Sequence, residues 1–440
     1  MGSEQKHVLI VAYYFPPMGL SGVQRIAKMA KYLPEAGYRV TVLTVEPGSY
    51  FAFDDSLLAE LESVEGIHIV RTRSLDPTRL HGGYRGKGHE GHREAHREVP
   101  FPEEKSRKVL STISQFLLLP DNKIGWRKYA VATGLRILKE TPADVILATA
   151  PPYTSFLIGR DLSLRTHTPL AIDYRDDWVD NPRHSYPTAL HRRITASMER
   201  KVVNQTSVVI AINKTILDLI KKRQAGPNPT YTVVPQGFDP EDFANVSTQT
   251  SESDQLVFLY TGMFYDAQQP DAFLKGIRIL LDRRPELTSI VRCKFAGIFP
   301  ERGKEIIQQL KLEPVVDLLG YLSHTDTVQQ LVDCSVAWMT IGRQQGEEMI
   351  STGKLFDYMG SLKPILALVP DGEAKNALSS YGAAFTCPPD EAEHIADELE
   401  SIVGLWQAGT LPKGSRENIQ IYDRRKQARI LSNIFDKISG

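Results

Sequence analysis

Residues 234–262 read VPQGFDPEDFANVSTQTSESDQLVFLYTG. The Pro235 to Pro240 part is rich in turn formers and closes whatever precedes it. Residues 244–254 are polar, lack any hydrophobic period and read as a linker. Leu256 to Tyr260 is then a fresh apolar run followed by Thr261-Gly262. A chain that ends one unit, crosses a polar linker and starts again on a buried strand has two domains, and the flanking sequence says of which kind.

On the N-terminal side, short β-branched runs alternate with helical patterns. The expected strands are His7 to Ala12, Tyr38 to Thr44, Ile67 to Thr72, Asp144 to Thr149, Leu170 to Asp173, Val208 to Ile212 and Tyr231 to Val234. An amphipathic helix is expected from Val23 to Leu33. On the other side the strands are Leu256 to Tyr260, Val291 to Ala296, Val315 to Leu319, Val336 to Ile341, Ile365 to Leu368 and Ala383 to Phe385. A terminal helix is read over Asn418 to Ile438. Strands apolar on both faces and separated by helix-sized intervals predict an α/β fold with parallel sheets covered on both sides. Residues 75–106 break the rhythm. They hold His81, His89, His92, His96 and five glycines, cannot build a core and read as a mobile loop, with a metal-binding role for the histidines as the lesser reading.

The 440 residues, 42% hydrophobic and 24% charged, exclude a disordered or collagen-like chain. No apolar run reaches the ~18 residues of a membrane span. The N-terminus lacks a signal-peptide pattern, because its apolar run passes straight into Tyr-Tyr-Phe-Pro-Pro. Three separated cysteines without a CxxC point away from disulfides and zinc and toward a reducing cytoplasm. The net charge of -1 divides into +7 over residues 1–240 and -8 over 241–440. Halves that differ this much are expected to serve different partners.

Two junctions carry candidate chemistry. After the first strand, Gly19 and Gly22 precede a helix start with Arg25 in its first turns. Such a turn brings backbone amides to an anion. It is not the G-x-G-x-x-G dinucleotide fingerprint. The second junction runs from Gly346 through Glu347, Glu348, Ser351, Thr352, Gly353, Lys354, Leu355 and Asp357. It resembles a P-loop only superficially, since six residues rather than four separate its glycines and Leu355 replaces the Ser/Thr. A helix starting near Ser351–Thr352, with Lys354 in its first turn, can hold a diphosphate. Asp357, one turn on, can accept both hydrogen bonds of a ribose diol.

The chain as a whole resembles the GT-B glycosyltransferases, family 4, of the bacterial surface-polysaccharide type. The resemblance is carried by Tyr13-Tyr14-Phe15-Pro16-Pro17 with Gly19 and Gly22, Pro120-Asp121, Gly125-Trp126 and Ala148-Thr149-Ala150-Pro151-Pro152. It continues in Asp173-Tyr174-Arg175-Asp176-Asp177-Trp178, Val234 to Asp239, Tyr260-Thr261-Gly262, Leu319-Gly320-Tyr321 and Lys354 to Gly360. It implies two doubly wound Rossmann-like domains facing a central cleft. An acceptor-binding domain would span 1–240 and a nucleotide-sugar-binding domain 241–415, with a helix over 416–440 crossing back to the first. It implies a donor site of Gly19, Gly22, Arg25, Gly262, Arg343, Glu347, Ser351, Thr352, Gly353, Lys354, Leu355 and Asp357. The implied catalytic residues are Glu348, Arg175 and Asp176, and the implied acceptor residues Tyr14, Asp173, Asp177 and Trp178.

Three departures stand out. Asp357 matches the second acid of the family's Glu-(seven residues)-Glu motif, but the first position is Met349, with Glu347 and Glu348 just before it. Met263-Phe264-Tyr265 replaces the Arg and Lys usual after Gly262, so the cation must come from Lys354, Arg343 or Arg25. Arg175 stands where many relatives carry a His. The implied reaction moves a sugar from a UDP- or GDP-linked donor to an acceptor hydroxyl, with retention, no metal and no cofactor. No Asp-x-Asp metal motif is present. The expected acceptor is a sugar or a lipid-linked sugar in surface polysaccharide or glycolipid synthesis, and no nucleic acid is involved. The basic residues Arg192, Arg193, Arg200, Lys201, Lys221, Lys222, Arg223, Arg424, Arg425, Lys426 and Arg429 suit an anionic membrane surface, placing a cytoplasmic protein on its inner face. A nucleotide-sugar epimerase or a two-lobed binding protein are the competing readings. A dehydrogenase lacks its fingerprint and a serine hydrolase its G-x-S-x-G elbow.

Overall fold

The computed structural model describes residues 5–19, 21–48, 53–75, 118–182, 186–224, 226, 229–244, 246, 254–265 and 267–440. The expected loop over 75–106, with its four histidines, lies outside the described residues beyond its first position. The chain divides into two compact units, Met1–Pro235 with Gln427–Gly440, and Gln236–Lys426.

The first unit is built on seven parallel strands: β1 (Lys6–Val11), β2 (Tyr38–Val45), β3 (Ile67–Thr72), β4 (Val145–Ala150), β5 (Leu170–Tyr174), β6 (Val208–Ala211) and β7 (Thr230–Val233). Their order across the sheet is β3-β2-β1-β4-β5-β6-β7. Register is set by pairs such as Val8↔Val40 and Val8↔Val145. The central strands are buried along nearly their whole length, as β-branched runs without polar alternation require. The second unit has six parallel strands: β8 (Leu256–Thr261), β9 (Val291–Ala296), β10 (Val316–Gly320), β11 (Val336–Thr340), β12 (Ile365–Leu368) and β13 (Ala384–Cys387). Their order is β10-β9-β8-β11-β12-β13. Two core clusters cover its faces. Phe258 and Tyr260 point into one with Phe273 and Trp338, while Val257 and Leu259 point into the other with Phe356 and Tyr358.

Both sheets reverse direction beside their first strand, between β1 and β4 and between β8 and β11. In doubly wound folds that reversal opens a crevice beyond the carboxyl ends of the strands, where ligands bind. The chain's last helix, Arg424–Ser439, starts six residues later than the expected Asn418. The segment before it is taken up by a 3-10 turn, Gln420–Tyr422, and Asp423, whose carboxylate accepts the amide of Arg425 at 2.8 Å. Within the first unit Asp436 of this helix bonds Lys6 at 2.7 Å and the Tyr38 hydroxyl at 2.5 Å, and Phe435 packs on the Tyr38 ring. Among the described residues no helix is long and apolar enough to cross a membrane.

Candidate active site

The reversal point of the second unit gathers several glycines and one cation. Gly262, just after β8, has φ +98° and donates its N–H to Ala296 O at 2.7 Å. Gly297, after β9, has φ +138°, and a Cβ there would lie 2.0 Å from Gly262 O. Gly342, after β11, would place a Cβ 1.9 Å from Ala267 O. Only glycine permits these approaches, so backbone rather than side chain lines the ends of β8, β9 and β11. Against Gly262 sits Lys354, with Nζ 3.6 Å from where a Cβ would be.

Lys354 enters from the first turn of the helix Gly353–Gly360, whose N-cap is Thr352 in extended conformation. Its ammonium donates to the Tyr260 hydroxyl and lies 4.0 Å from the centre of the Tyr260 ring. That ring stacks on Phe264 at 4.0 Å and tilts against Trp338 at 5.0 Å. Among the described residues Lys354 pairs with no carboxylate. Desolvation by these aromatic neighbours pulls its pKa down to about 7. Thr352 adds a buried hydroxyl oxygen with no hydrogen-bond partner among the described residues. The first turn of the helix also offers amides, since its bonding begins only with Leu355 N to Thr352 O. An ammonium, an unsatisfied hydroxyl and a helix N-terminus within one helical turn are groups chemically suited to an anion.

Other expected donor residues lie on the same helix and the loop before it. Asp357 is half-buried one turn after Lys354, and Leu355 is in the core. Ser351 is buried at the loop's end. Glu348 is exposed in the turn after Gly346, held by Gly372, whose Cβ would lie 2.6 Å from Glu348 Cα. Glu347 is committed to its own turn: Oε2 accepts the Gln344 amide at 2.6 Å and Oε1 meets Arg343 at 3.1 Å. Arg343 is half-exposed, and its further neighbour is Asp390 at 3.7 Å. It is part of a surface ion pair.

The first unit's reversal point departs from expectation. Arg25, anticipated as a donor cation, is 2% exposed and locked to Asp173 at 2.8 Å, with its remaining donors on Val234 O and Pro235 O. Asp173, anticipated for the acceptor, is thereby neutralised and also accepts the Thr149 hydroxyl at 2.8 Å. Arg175, anticipated as catalytic, is 8% exposed and donates to Gly22 O, Pro151 O and Ala150 O. Its guanidinium ties the start of the helix after β1 to the loop after β4. Asp177 is 1% exposed between Arg223 and the Asp180 amide, and Trp178 is fully buried, stacked on Tyr153 at 4.9 Å. The four charged groups among these hold the unit together, because a buried charge must be paired to be tolerated. Asp176 and Tyr14 remain half-buried, Tyr14 edge-on to Tyr13. Gly19 is buried in the loop after β1.

Sequence reasoning missed Gly297, Gly342 and Tyr260. The signal for the two glycines was the recurrence of glycine just after successive strands. It also missed Arg223, which binds Asp177, Asp180 and Glu199 across a gap no local spacing predicts.

Residues 22–237 match the family model of the Glycosyl transferase 4-like domain. This stretch of the chain is a glycosyl transferase 4-like domain. No curated protein sequence matches the chain significantly. Solved structures similar to it include one from Rickettsia africae (13% identity, 99% of this chain and 98% of that chain, TM-score 0.64). The Anabaena protein HepE, in complex with UDP and glucose, is similar at 15% identity over 98% and 99% of the two chains, TM-score 0.62. Sucrose-phosphate synthase from Thermosynechococcus elongatus is similar at 13% identity over 98% of each chain, TM-score 0.62. At these identities the likeness is one of fold, and the fold is the two-domain GT-B architecture.

Proposed function

We propose that the enzyme binds a UDP- or GDP-sugar on its second unit and transfers the sugar to an acceptor hydroxyl bound by its first unit. The proposed reaction retains anomeric configuration and needs no metal. The observation that carries the reading is Lys354, an ammonium without a carboxylate partner among the described residues, set against Gly262 at the reversal of the second sheet. Departure of a nucleoside diphosphate builds negative charge on its terminal phosphate, and preorganised donors stabilise that charge better than reorganising water does. Lys354, the Thr352 hydroxyl and the first-turn amides are such donors. Asp357 is assigned to the ribose diol and Glu348 to the sugar hydroxyls. HepE, a similar fold, was solved with UDP and glucose, which favours a UDP donor. Retention follows the family resemblance, and the biological setting proposed is surface polysaccharide or glycolipid synthesis in the cytoplasm.

The test is a panel of UDP- and GDP-sugars, each assayed for diphosphate release with and without sugar acceptors, in EDTA and in magnesium. Release that depends on acceptor and survives EDTA is expected. An epimerised sugar formed without acceptor would replace transfer by epimerisation. Asp357→Ala is expected to weaken nucleotide-sugar binding by about 1–3 kcal/mol in calorimetry; unchanged affinity would remove it from the site.

A further inference from the structure

The helix Ala189–Val203 of the first unit has two faces of different character. Thr195, Glu199, Val202 and Val203 are buried. Opposite them, Leu190, Ile194, Ser197 and Lys201 follow one another in helical steps of four, three and four residues, so they form one stripe. All four positions are exposed, Leu190 to 62% and Ile194 to 38%. Arg193 and Arg200 flank the stripe and are also exposed. Arg193, Arg200 and Lys201 pair with no carboxylate among the described residues. The helix's acidic residue, Glu199, is turned inward and binds Arg223 of the adjacent helix Lys214–Arg223 at 2.9 Å. That neighbour adds exposed Lys221 and Lys222.

The structure therefore reduces the long list of basic residues to a defined surface. Arg192 is drawn off by Asp180, Arg223 by its three acids and Arg425 by Glu241. What remains is cationic, pairs with no carboxylate among the described residues, and carries two large aliphatic side chains one turn apart. Its charge is spread along an exposed helix face, which suits a laterally uniform anionic surface rather than a single peptide. Aliphatic side chains on a cationic helix face settle into the boundary between headgroups and acyl chains, while the cations meet anionic headgroups.

We propose that the helix Ala189–Val203 is a docking surface for an anionic lipid bilayer, with Leu190 and Ile194 inserted and Arg193, Arg200 and Lys201 on the headgroups. The surface is independent of the donor site, so its test needs no sugar. The full-length protein is sedimented with vesicles of phosphatidylcholine alone and of phosphatidylcholine mixed with phosphatidylglycerol, over a salt series. Binding should rise with the anionic fraction and fall with salt. The pair Leu190→Glu/Ile194→Glu should reduce partitioning about tenfold or more, and Arg193→Glu/Arg200→Glu/Lys201→Glu should abolish the salt-sensitive part. Lys275→Glu, an exposed lysine of the second unit, should bind as the native protein does. Melting curves confirm that each variant is folded, and all should retain turnover of a water-soluble acceptor. Equal binding to neutral vesicles, or native binding by the stripe variants, would overturn the proposal. So would loss of self-association in the stripe variants without loss of vesicle binding, which would assign the face to a second copy. Failure of sugar transfer would leave the vesicle result standing, and the reverse holds as well.

Discussion

The two sheets reverse in the same way, yet the groups at the two reversal points are used differently. In the first unit Arg25 and Asp173 neutralise each other and Arg175 is absorbed by three carbonyls. In the second unit the cation, Lys354, meets a phenol and an aromatic face and, among the described residues, no carboxylate. One reversal point is closed electrostatically, and the other is left with a charge to satisfy. Topology offers the crevice, and pairing decides whether a charged ligand can use it.

Removing one member of the closed pair is the strongest challenge to this contrast. Arg25→Ala should cost about 3–5 kcal/mol, because it strands Asp173 in the interior. Denaturant unfolding followed in the first unit measures it, and a loss near zero would deny that the pair is structural. Gly297→Ala comes next. Its Cβ would collide with Gly262 O at a φ of +138°, so the Gly262 turn must shift, with backbone strain of about 1–3 kcal/mol. Melting temperature and UDP affinity should fall together; native affinity would uncouple the glycines from the anion site. Lys354→Met should weaken UDP binding by about 1–3 kcal/mol without lowering stability. Paired calorimetry and unfolding would separate this outcome from a mere packing defect.

A further test sharpens the contrast through pH. Lys354 titrates at about 7 in the folded protein and near 10.5 when unfolded. Between those values the unfolded chain holds a proton that the folded one lacks. The contribution of Lys354 to stability therefore rises with pH across that window and is lost as pH falls through about 7. Lys354→Met should flatten that part of the stability profile. A bound diphosphate favours the ammonium, so UDP binding above pH 7 should take up a proton. Calorimetry in buffers of different ionisation heat detects it, and no uptake would mean that Lys354 does not meet the anion.

Much of this was legible before folding. Each of the thirteen strands starts or ends within a residue or two of its expected place, because apolar runs bounded by turn formers have little alternative. Gly262 and the Thr352–Lys354 helix start were readable as well, since amide-rich turns leave local signatures. The partners of charged residues were not readable. Arg25 and Asp173 lie 148 residues apart in sequence, and Arg223 and Asp177 lie 46 apart. Side by side in a motif, Asp173, Arg175 and Asp177 looked like ligand groups, and only packing showed them bound within their own unit.

By itself, then, the sequence determined the elements, their alternation and the break into two units, because hydrophobic period and turn chemistry act over a few residues. The tertiary structure decided which charges are neutralised and which remain available. Burial and pairing join residues that are distant along the chain, and no local pattern records them.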